Sequence, residues 1–274
     1  MDPIKAAVVQ INSTPDPEGN LAKARHQIEG AAGAGAELIV MPEKWPFVAA
    51  GEGILEGAEG IDGPAITAAR GWAQEFGTAL LAGSFCEAHG DGRYTNTSLL
   101  IDRDGGIQAT YRKLHMFDVE VDGTSYRESA FEEAGSEFLV ADCGEARIGM
   151  AICYDLRFPE LFRELAMLGA NVFTLPAAFT PTTGRDHWEV LLRARAIENQ
   201  AFLLAADQFG EAEPGYGFWG HSMIIDPWGT VLAEVDEGEG FAVAELDFAR
   251  QAEVRADLPA LSHRRTDLFP SGSA

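Results

Sequence analysis

Short apolar runs alternate with amphipathic helical patterns along the 274 residues of the chain. The apolar runs predict strands at 5–9, 37–41, 79–85, 95–101, 107–111, 136–141, 147–152, 171–175, 202–207, 222–226, 230–235 and 241–246. Apolar positions at helical spacing predict helices at 20–36, 64–76, 159–168, 187–200 and 248–256. The segment 113–135 shows no regular pattern. The chain is therefore predicted to have an α/β fold.

The order of these elements narrows the architecture. Several strands follow one another without an intervening helix, which argues against a pure Rossmann fold or TIM barrel, since both need a helix after every strand. Two sheets faced by helices fit the pattern better. No internal repeat or linker divides the sequence, so we expect a single domain over residues 1–270 and a disordered tail at 271–274.

Charge and cysteine usage exclude several classes of protein. The chain carries 43 acidic and 20 basic residues, a formal charge of −23, and its basic residues form no patch for nucleic acid. No run reaches the ~18 apolar residues of a membrane helix, and no signal peptide is visible. Three widely spaced cysteines without a CxxC pair indicate reduced thiols in the cytoplasm. The acidity is consistent with solubility or salt tolerance.

The three cysteines differ in their surroundings. Cys86 ends an apolar run and is interpreted as a core residue, and Cys143 is placed in a turn between strands. Cys153 closes a predicted strand and opens a helix, a junction that exposes a side chain and places helix N-terminal amides beside it. Its position alone leaves two interpretations open, a buried packing residue or a nucleophile.

Two charged residues also follow strand patterns. Glu43 comes directly after a buried strand, and Lys113 ends the pattern at 107–111. Each can be a solvated surface charge, which is the ordinary state of these residue types. A thiol nucleophile needs a proton acceptor and a nearby cation, so both are candidates to act with Cys153.

Three segments together carry a family resemblance: 41–43 (MPE), 111–115 (YRKLH) and 152–160 (ICYDLRFPE). They resemble, in order and spacing, the three motifs of the nitrilase superfamily of carbon–nitrogen hydrolases. Further similarity lies at 126–129, 187–196, 216–217, 220–223, 226–229 and 263–265, so the resemblance covers nearly the whole chain.

The resemblance implies a four-layer α-β-β-α sandwich that assembles as a homodimer or larger homo-oligomer, with no metal and no organic cofactor. It implies an amidohydrolase that converts a small amide to a carboxylic acid and ammonia through a thioester on Cys153. Glu43 is the implied general base. Lys113 and the backbone N–H of Tyr154 are the implied oxyanion donors, and Glu128 resembles the second glutamate of the family's site.

Substrate contacts are less defined. His187 is a candidate pocket residue or a helix-start residue that packs or caps, and Phe117, Phe179 and His115 are weaker pocket candidates. Arg157 has two interpretations: a structural ion pair, which we favour, or a contact to a substrate carboxylate.

The motifs leave the substrate open. The later segments most resemble the branch that includes deaminated glutathione amidase, with ω-amidase as its neighbour. Nitrilases and N-carbamoyl hydrolases share the same three motifs, and a catalytically idle binding or scaffold protein is the remaining alternative. The segment 215–220 (GYGFWG) matches a phosphate-binding pattern but precedes no helix. His263 suggests a Cys–His protease, a class that has no use for Glu43 and Lys113.

Overall fold

The computed structural model describes residues 2–90, 92–121 and 123–268. The predicted disordered tail, 271–274, lies outside them. Their α-helices are α1 (Pro17–Gly33), α2 (Pro64–Phe76), α3 (Pro159–Met167), α4 (Pro181–Asn199) and α5 (Phe248–Asp257). Their strands are β1 (Ile4–Gln10), β2 (Leu38–Val40), β3 (Ala79–Leu81), β4 (Phe85–Ala88), β5 (Tyr94–Ile101), β6 (Ile107–Arg112), β7 (Asp118–Val121), β8 (Thr124–Arg127), β9 (Glu132–Glu133), β10 (Val140–Cys143), β11 (Ala146–Met150), β12 (Val172–Ala177), β13 (Phe202–Asp207), β14 (Phe209–Glu213), β15 (Tyr216–Trp219), β16 (Met223–Ile225), β17 (Val231–Glu234) and β18 (Gly240–Leu246).

The first sheet has the order β18-β1-β2-β3-β5-β4, and β6 and β9 also pair with β5. Strands β1, β2 and β3 run parallel at its centre. Successive side chains of a strand point to opposite faces. Accordingly, Ala7 and Val9 pack with residues of α1 and α2, whereas Ala6 and Val8 pack towards the second sheet. Burial on both faces explains why these strands are continuous apolar runs.

The second sheet has the order β10-β11-β12-β13-β16-β17, with β11, β12 and β13 parallel. Helix α3 covers its outer face, where the ring of Phe162 meets that of Phe173 edge-on at 5.3 Å. Trp188 and Leu192 of α4 pack into the same cluster. One apolar core joins the two sheets, so the layers are helices, sheet, sheet and helices, which confirms the predicted α-β-β-α sandwich.

Two strand predictions were wrong in their bounds. The run predicted as one strand at 79–85 is interrupted after β3, because Gly83 adopts a φ of 49° and a Cβ there would collide with the carbonyl oxygen of Pro42. The strand predicted at 136–141 is β10, and Cys143 is its last residue rather than part of a turn.

Helix α4 begins at Pro181, six residues before the predicted start at 187. The first turns are polar and carry no apolar periodicity, so the pattern concealed them. Pro181 suits a first-turn position because its missing N–H would have no partner there. Helix α1 likewise runs three residues earlier than predicted at both ends.

Two antiparallel hairpins were missed. β7 and β8 lie in the segment predicted to be irregular. β15 lies within the glycine-rich segment 215–220 and pairs with β14. Both hairpins stand apart from the two main sheets, and most of their side chains are partly or fully exposed, so the apolar alternation of a buried strand is absent. Within the described ranges, no helix is long and apolar enough to cross a bilayer.

Candidate active site

Cys153 occupies a sharp turn three residues after β11. It opens the 3₁₀ helix Cys153–Arg157 and has a φ of 45°, a left-handed conformation that is uncommon for a residue with a side chain. Only 8% of its surface is exposed, and that part lines a cavity. Such strain persists only where the surrounding structure holds it in place.

Asp155 provides that support. Its buried carboxylate accepts hydrogen bonds from the Ile152 N–H at 2.9 Å and the Tyr111 hydroxyl at 2.7 Å. Its other oxygen accepts the His115 N–H at 3.2 Å and lies 2.6 Å from His115 Nδ1. Tyr111 and His115 flank Lys113 in sequence. The carboxylate therefore fixes the turn that carries Cys153 to the segment that carries Lys113.

Lys113 lies between two glutamates. Its Nζ is 3.2 Å from Glu43 Oε1 and 2.6 Å from Glu128 Oε2. Lys113 and Glu43 are almost fully buried. Asn96 donates to the same Glu43 oxygen at 2.7 Å, and the Phe117 N–H donates to Glu128 at 2.8 Å. The structure thus brings together Glu43, Lys113, Glu128 and Cys153, which lie up to 110 residues apart in sequence.

Burial and neighbouring charges shift the pKa values of Cys153 and Lys113. Burial, reinforced by Glu43 and opposed by Lys113, raises the pKa of Cys153 well above its usual value, so the resting thiol is protonated at neutral pH. Burial lowers the pKa of Lys113, but Glu128 and Glu43 outweigh it and raise that pKa overall, so the lysine stays a cation. A protonated thiol beside a carboxylate and a fixed cation suits base-assisted nucleophilic attack.

The cavity has a volume of about 360 Å³ and a lining of both charged and aromatic residues. Glu43, Glu128 and Cys153 line it. Several aromatic residues also line it, including Phe117, Tyr126, Phe131, Tyr154, Phe179 and Phe218. This size and composition are typical of a small-molecule site. The backbone N–H of Tyr154 belongs to the first turn of the 3₁₀ helix, where N–H groups have no earlier helical carbonyl to bond.

Arg157 lies at this cavity and is half-buried. Its guanidinium stacks 5.9 Å from the Tyr154 ring and 5.4 Å from the Phe179 ring. No carboxylate of the described residues lies within 4.0 Å of it, so the structural ion pair that we favoured from sequence was wrong. Its polar neighbour is His187 Nδ1, at 3.4 Å.

Two pocket residues predicted from the sequence, His187 and His115, do not line the cavity. His187 is exposed on α4 and does not line the cavity. The first turns of α4, missed from sequence, place it farther along the helix than expected. His115 stacks on Phe158 with ring centroids 3.5 Å apart and contacts Asp155, so its place is behind the cavity wall.

Sequence reasoning missed four polar residues of the site: Asn96, Asp155, Lys44 and Glu132. Asp155 lies inside a motif and could have been found there. Asn96 is one polar position in a predicted strand, and nothing in its neighbourhood marks it. Lys44 and Glu132 approach the cluster from segments 88 residues apart, so only the fold reveals their contact.

Sequence comparisons agree with this geometry. The profile of the family described as carbon-nitrogen hydrolase matches residues 5–256. Deaminated glutathione amidase of Synechocystis sp. is 42% identical over 269 residues, covering 96% of this chain and 99% of the relative. The Homo sapiens protein of that name is 40% identical, with coverage of 96% and 83%. Omega-amidase NIT2 of Danio rerio is 35% identical, with coverage of 100% and 99%.

Solved structures share the fold. The C. elegans NitFhit protein superposes with a TM-score of 0.93 at 38% identity over 98% of this chain, which spans 66% of that longer protein. An amidase from Nesterenkonia sp. AN1 in complex with acrylamide gives 0.83 at 29% identity, with 97% and 95% coverage. The chain therefore belongs to the carbon–nitrogen hydrolase family of the nitrilase superfamily, whose members act on carbon–nitrogen bonds other than peptide bonds.

Proposed function

We propose that this protein is a cysteine-dependent amidase in which Cys153 is the nucleophile and Glu43 the general acid and base. In the first half-reaction Glu43 takes the thiol proton, and the sulfur attacks the carbonyl carbon of the amide. Lys113 and the Tyr154 N–H donate to the resulting oxyanion. The carbon–nitrogen bond then breaks, the leaving nitrogen takes the proton from Glu43, and a thioester remains on Cys153.

The second half-reaction hydrolyses the thioester. Glu43 takes a proton from water, and the hydroxide attacks the thioester carbonyl. The carbon–sulfur bond breaks, the acid is released, and the proton returns to the sulfur. Glu128 keeps Lys113 in place through both halves and helps to hold it charged. The observation that carries this proposal is the buried Lys113 ammonium, which bridges Glu43 and Glu128; both glutamates line the same cavity as Cys153.

We further propose an anionic amide as substrate, with deaminated glutathione as the leading candidate. Relatives named deaminated glutathione amidase match over nearly the whole chain. Arg157 supplies a cation without a carboxylate partner among the described residues, and a guanidinium binds a carboxylate with two parallel hydrogen bonds. Phe117 and Phe179 flank the cavity and would contact the carbon chain. In deaminated glutathione the leaving nitrogen belongs to cysteinylglycine, so ammonia is expected only from primary amides.

A substrate panel tests the proposal. It comprises deaminated glutathione, an α-keto acid ω-monoamide, a short aliphatic amide, an N-carbamoyl amino acid and a nitrile, with acid, amine and ammonia all measured. We expect deaminated glutathione to give the highest kcat/KM. A faster ω-monoamide would favour ω-amidase, since a relative of that name also matches. If no compound turns over above a Cys153→Ala control, the amidase proposal fails for these classes and the binding-protein alternative gains support.

The same panel tests Arg157. A charge-assisted hydrogen bond contributes about 1.5–3 kcal/mol, so Arg157→Met should raise KM about 10–100-fold for carboxylate-bearing amides. The short neutral amide should be unaffected. Arg25→Met removes a partly exposed arginine on α1, paired with Glu75, and serves as the control. An equal loss with neutral and anionic amides would contradict the carboxylate contact.

We also propose a cytoplasmic homodimer or larger homo-oligomer. Val190 and Ile197 on α4 are 68% and 47% exposed, and Trp228 in the neighbouring turn is 57% exposed. Gly229 of that turn packs against Ile197, so these apolar residues form one surface. Sedimentation analysis of the protein and of Val190→Glu tests whether this surface joins subunits.

A further inference from the structure

Lys44 is a second lysine of the candidate site, and it lies largely buried in the cavity wall. It follows Glu43 directly with a φ of 51°, and its N–H donates to Ser84 Oγ at 2.9 Å. The side chain is only 12% exposed. A lysine is almost never buried unless it is paired, and a left-handed backbone is uncommon for it. Both features indicate that the surrounding structure holds this ammonium in one place.

The ammonium of Lys44 uses all of its donors within the protein. It lies 3.1 Å from Glu132 Oε2, 3.3 Å from Glu128 Oε1 and 3.4 Å from the Tyr94 hydroxyl. Lysine has three N–H donors, and three protein acceptors already surround this one. It therefore has no donor left for a substrate, and any effect on the reaction passes through its partners.

Those partners complete an alternating chain of charges. Glu43, Lys113, Glu128, Lys44 and Glu132 follow one another at distances of 3.2, 2.6, 3.3 and 3.1 Å. Lys113 holds one oxygen of Glu128 and Lys44 holds the other. The chain carries three carboxylates and two cations, so loss of Lys44 would leave Lys113 as the one cation in it.

We propose that Lys44 is a positioning residue that holds Glu128 in its charged form and correct orientation, so that Lys113 remains shared with Glu43. The inference rests on the proposed amidase mechanism. Without Lys44, one Glu128 oxygen would lose its partner, and Glu128 would draw Lys113 away from Glu43. Lys113 would then be displaced from the oxyanion, although the substrate cavity would keep its shape.

The charged and titratable groups around Lys44 determine how its removal would change the pH dependence of the reaction. They are Glu43, Glu128, Glu132, Lys113, Tyr94, Cys86 and Tyr216. Burial raises the pKa of Glu128, but Lys113 and Lys44 outweigh it and bring the value to about 2. Burial and Glu128 raise the pKa of Glu132 to about 7, with Lys44 opposing them. Removing the Lys44 charge must raise the pKa of both carboxyls.

The first measurement is the pH profile of kcat and kcat/KM for Lys44→Met. We expect kcat to fall about tenfold or more with little change in KM. The acid limb of kcat/KM should move up by about one pH unit or more, since an opposite charge within ~4–6 Å shifts a carboxyl by one to three units. Lys44→Arg, which keeps the charge, should restore the limb. Lys23→Met, an α1 lysine paired with Glu239, controls for the loss of one positive charge.

A double variant separates positioning from simple charge balance. If Lys44 merely neutralises Glu132, then Lys44→Met combined with Glu132→Gln should return the profile to that of the wild type, which would overturn the proposal. If Lys44 acts through Glu128, the shifted limb should persist in the double variant. Lys44→Gln, which still donates hydrogen bonds, replaces Lys44→Met if that protein does not fold.

Failure of the amidase proposal can be distinguished from failure of the Lys44 proposal. If the wild type hydrolyses no amide, the amidase proposal falls. The pH dependence of Cys153 alkylation by iodoacetamide, followed by peptide mass spectrometry, then tests Lys44 by itself. A Lys44→Met profile identical to that of the wild type would refute the positioning role in either assay.

Discussion

The protein contains two buried thiols beside the same charged chain, and only one of them lines the cavity. Cys86 is 3% exposed and Cys153 is 8% exposed, and burial raises the pKa of both. Cys86 lies in regular strand β4 in an apolar cluster with Phe47, Ile54 and Tyr94. Cys153 lies on a strained turn. Burial and nearby charge therefore do not distinguish Cys153, the proposed nucleophile, from Cys86. Backbone conformation and access to the cavity do.

The largest expected effect comes from removing each thiol in turn. Cys153→Ala should lower kcat by about 10⁴-fold or more, because loss of a catalytic nucleophile removes the covalent route. Cys86→Ala should keep kcat within a few-fold and lose about 1 kcal/mol of stability. Steady-state kinetics and urea unfolding on both variants check this. Comparable losses of kcat in the two variants would abolish the distinction between the thiols.

An intermediate effect is expected from Asp155→Asn, which weakens the support of the Cys153 turn. An amide presents N–H₂ where the carboxylate accepted a backbone N–H, leaving a buried donor unpaired. We expect a loss of about 2 kcal/mol in unfolding free energy and a fall of about 10²-fold in kcat, measured where the variant is fully folded.

Asp247→Asn is the matched control for that substitution. Asp247 caps α5 through the N–H groups of Ala249 and Arg250, and asparagine caps helices nearly as well. Activity should therefore be unchanged. If Asp155→Asn loses stability but keeps its kcat, Asp155 supports the fold alone and the turn does not depend on it for reactivity.

The smallest effect is the pH dependence of stability that the raised pKa of Cys86 predicts. Burial raises the pKa of Cys86 to about 12, with Lys44 opposing. Between the unfolded pKa near ~8.5 and that value, the unfolded chain loses the thiol proton and the folded chain keeps it, so stability falls as pH rises. Alanine lacks this penalty. The stability deficit of Cys86→Ala at pH 7 should therefore shrink and reverse in alkaline urea titrations. A deficit that stays constant from pH 7 to 11 would contradict the raised pKa.

The difference between buried and solvent-facing strands explains which parts of the fold could be predicted from the sequence. Strands buried on both faces, such as β1 and β12, are continuous apolar runs and were predicted close to their true bounds. Glu43 and Cys153 follow largely buried strands and Lys113 follows the partly exposed β6, so their convergence could be expected once the motifs were recognised. The solvent-facing hairpin of β7 and β8 has no apolar alternation, and it stayed hidden.

Contacts across the fold were beyond prediction for a physical reason. Whether Arg157 meets an acid depends on which side chains other segments bring to it, and no pattern within its own segment encodes that. The contact between Lys44 and Glu132 is of the same kind. Asp155, by contrast, bonds to Ile152 within its own turn, so its role was accessible from local geometry.

Glu43 and Lys113 follow strands of the first sheet, whereas Cys153 follows a strand of the second. The Glu43 N–H also reaches the Ala177 carbonyl of the second sheet at 3.3 Å. Neither sheet therefore supplies all three residues of the proposed mechanism. If these residues act together as we propose, a reactive site forms during folding only after the two sheets dock, and a chain with only one sheet formed should have no amidase activity. Recovery of turnover during refolding thus reports the joining of the halves, whatever the order in which each half gains its own strands.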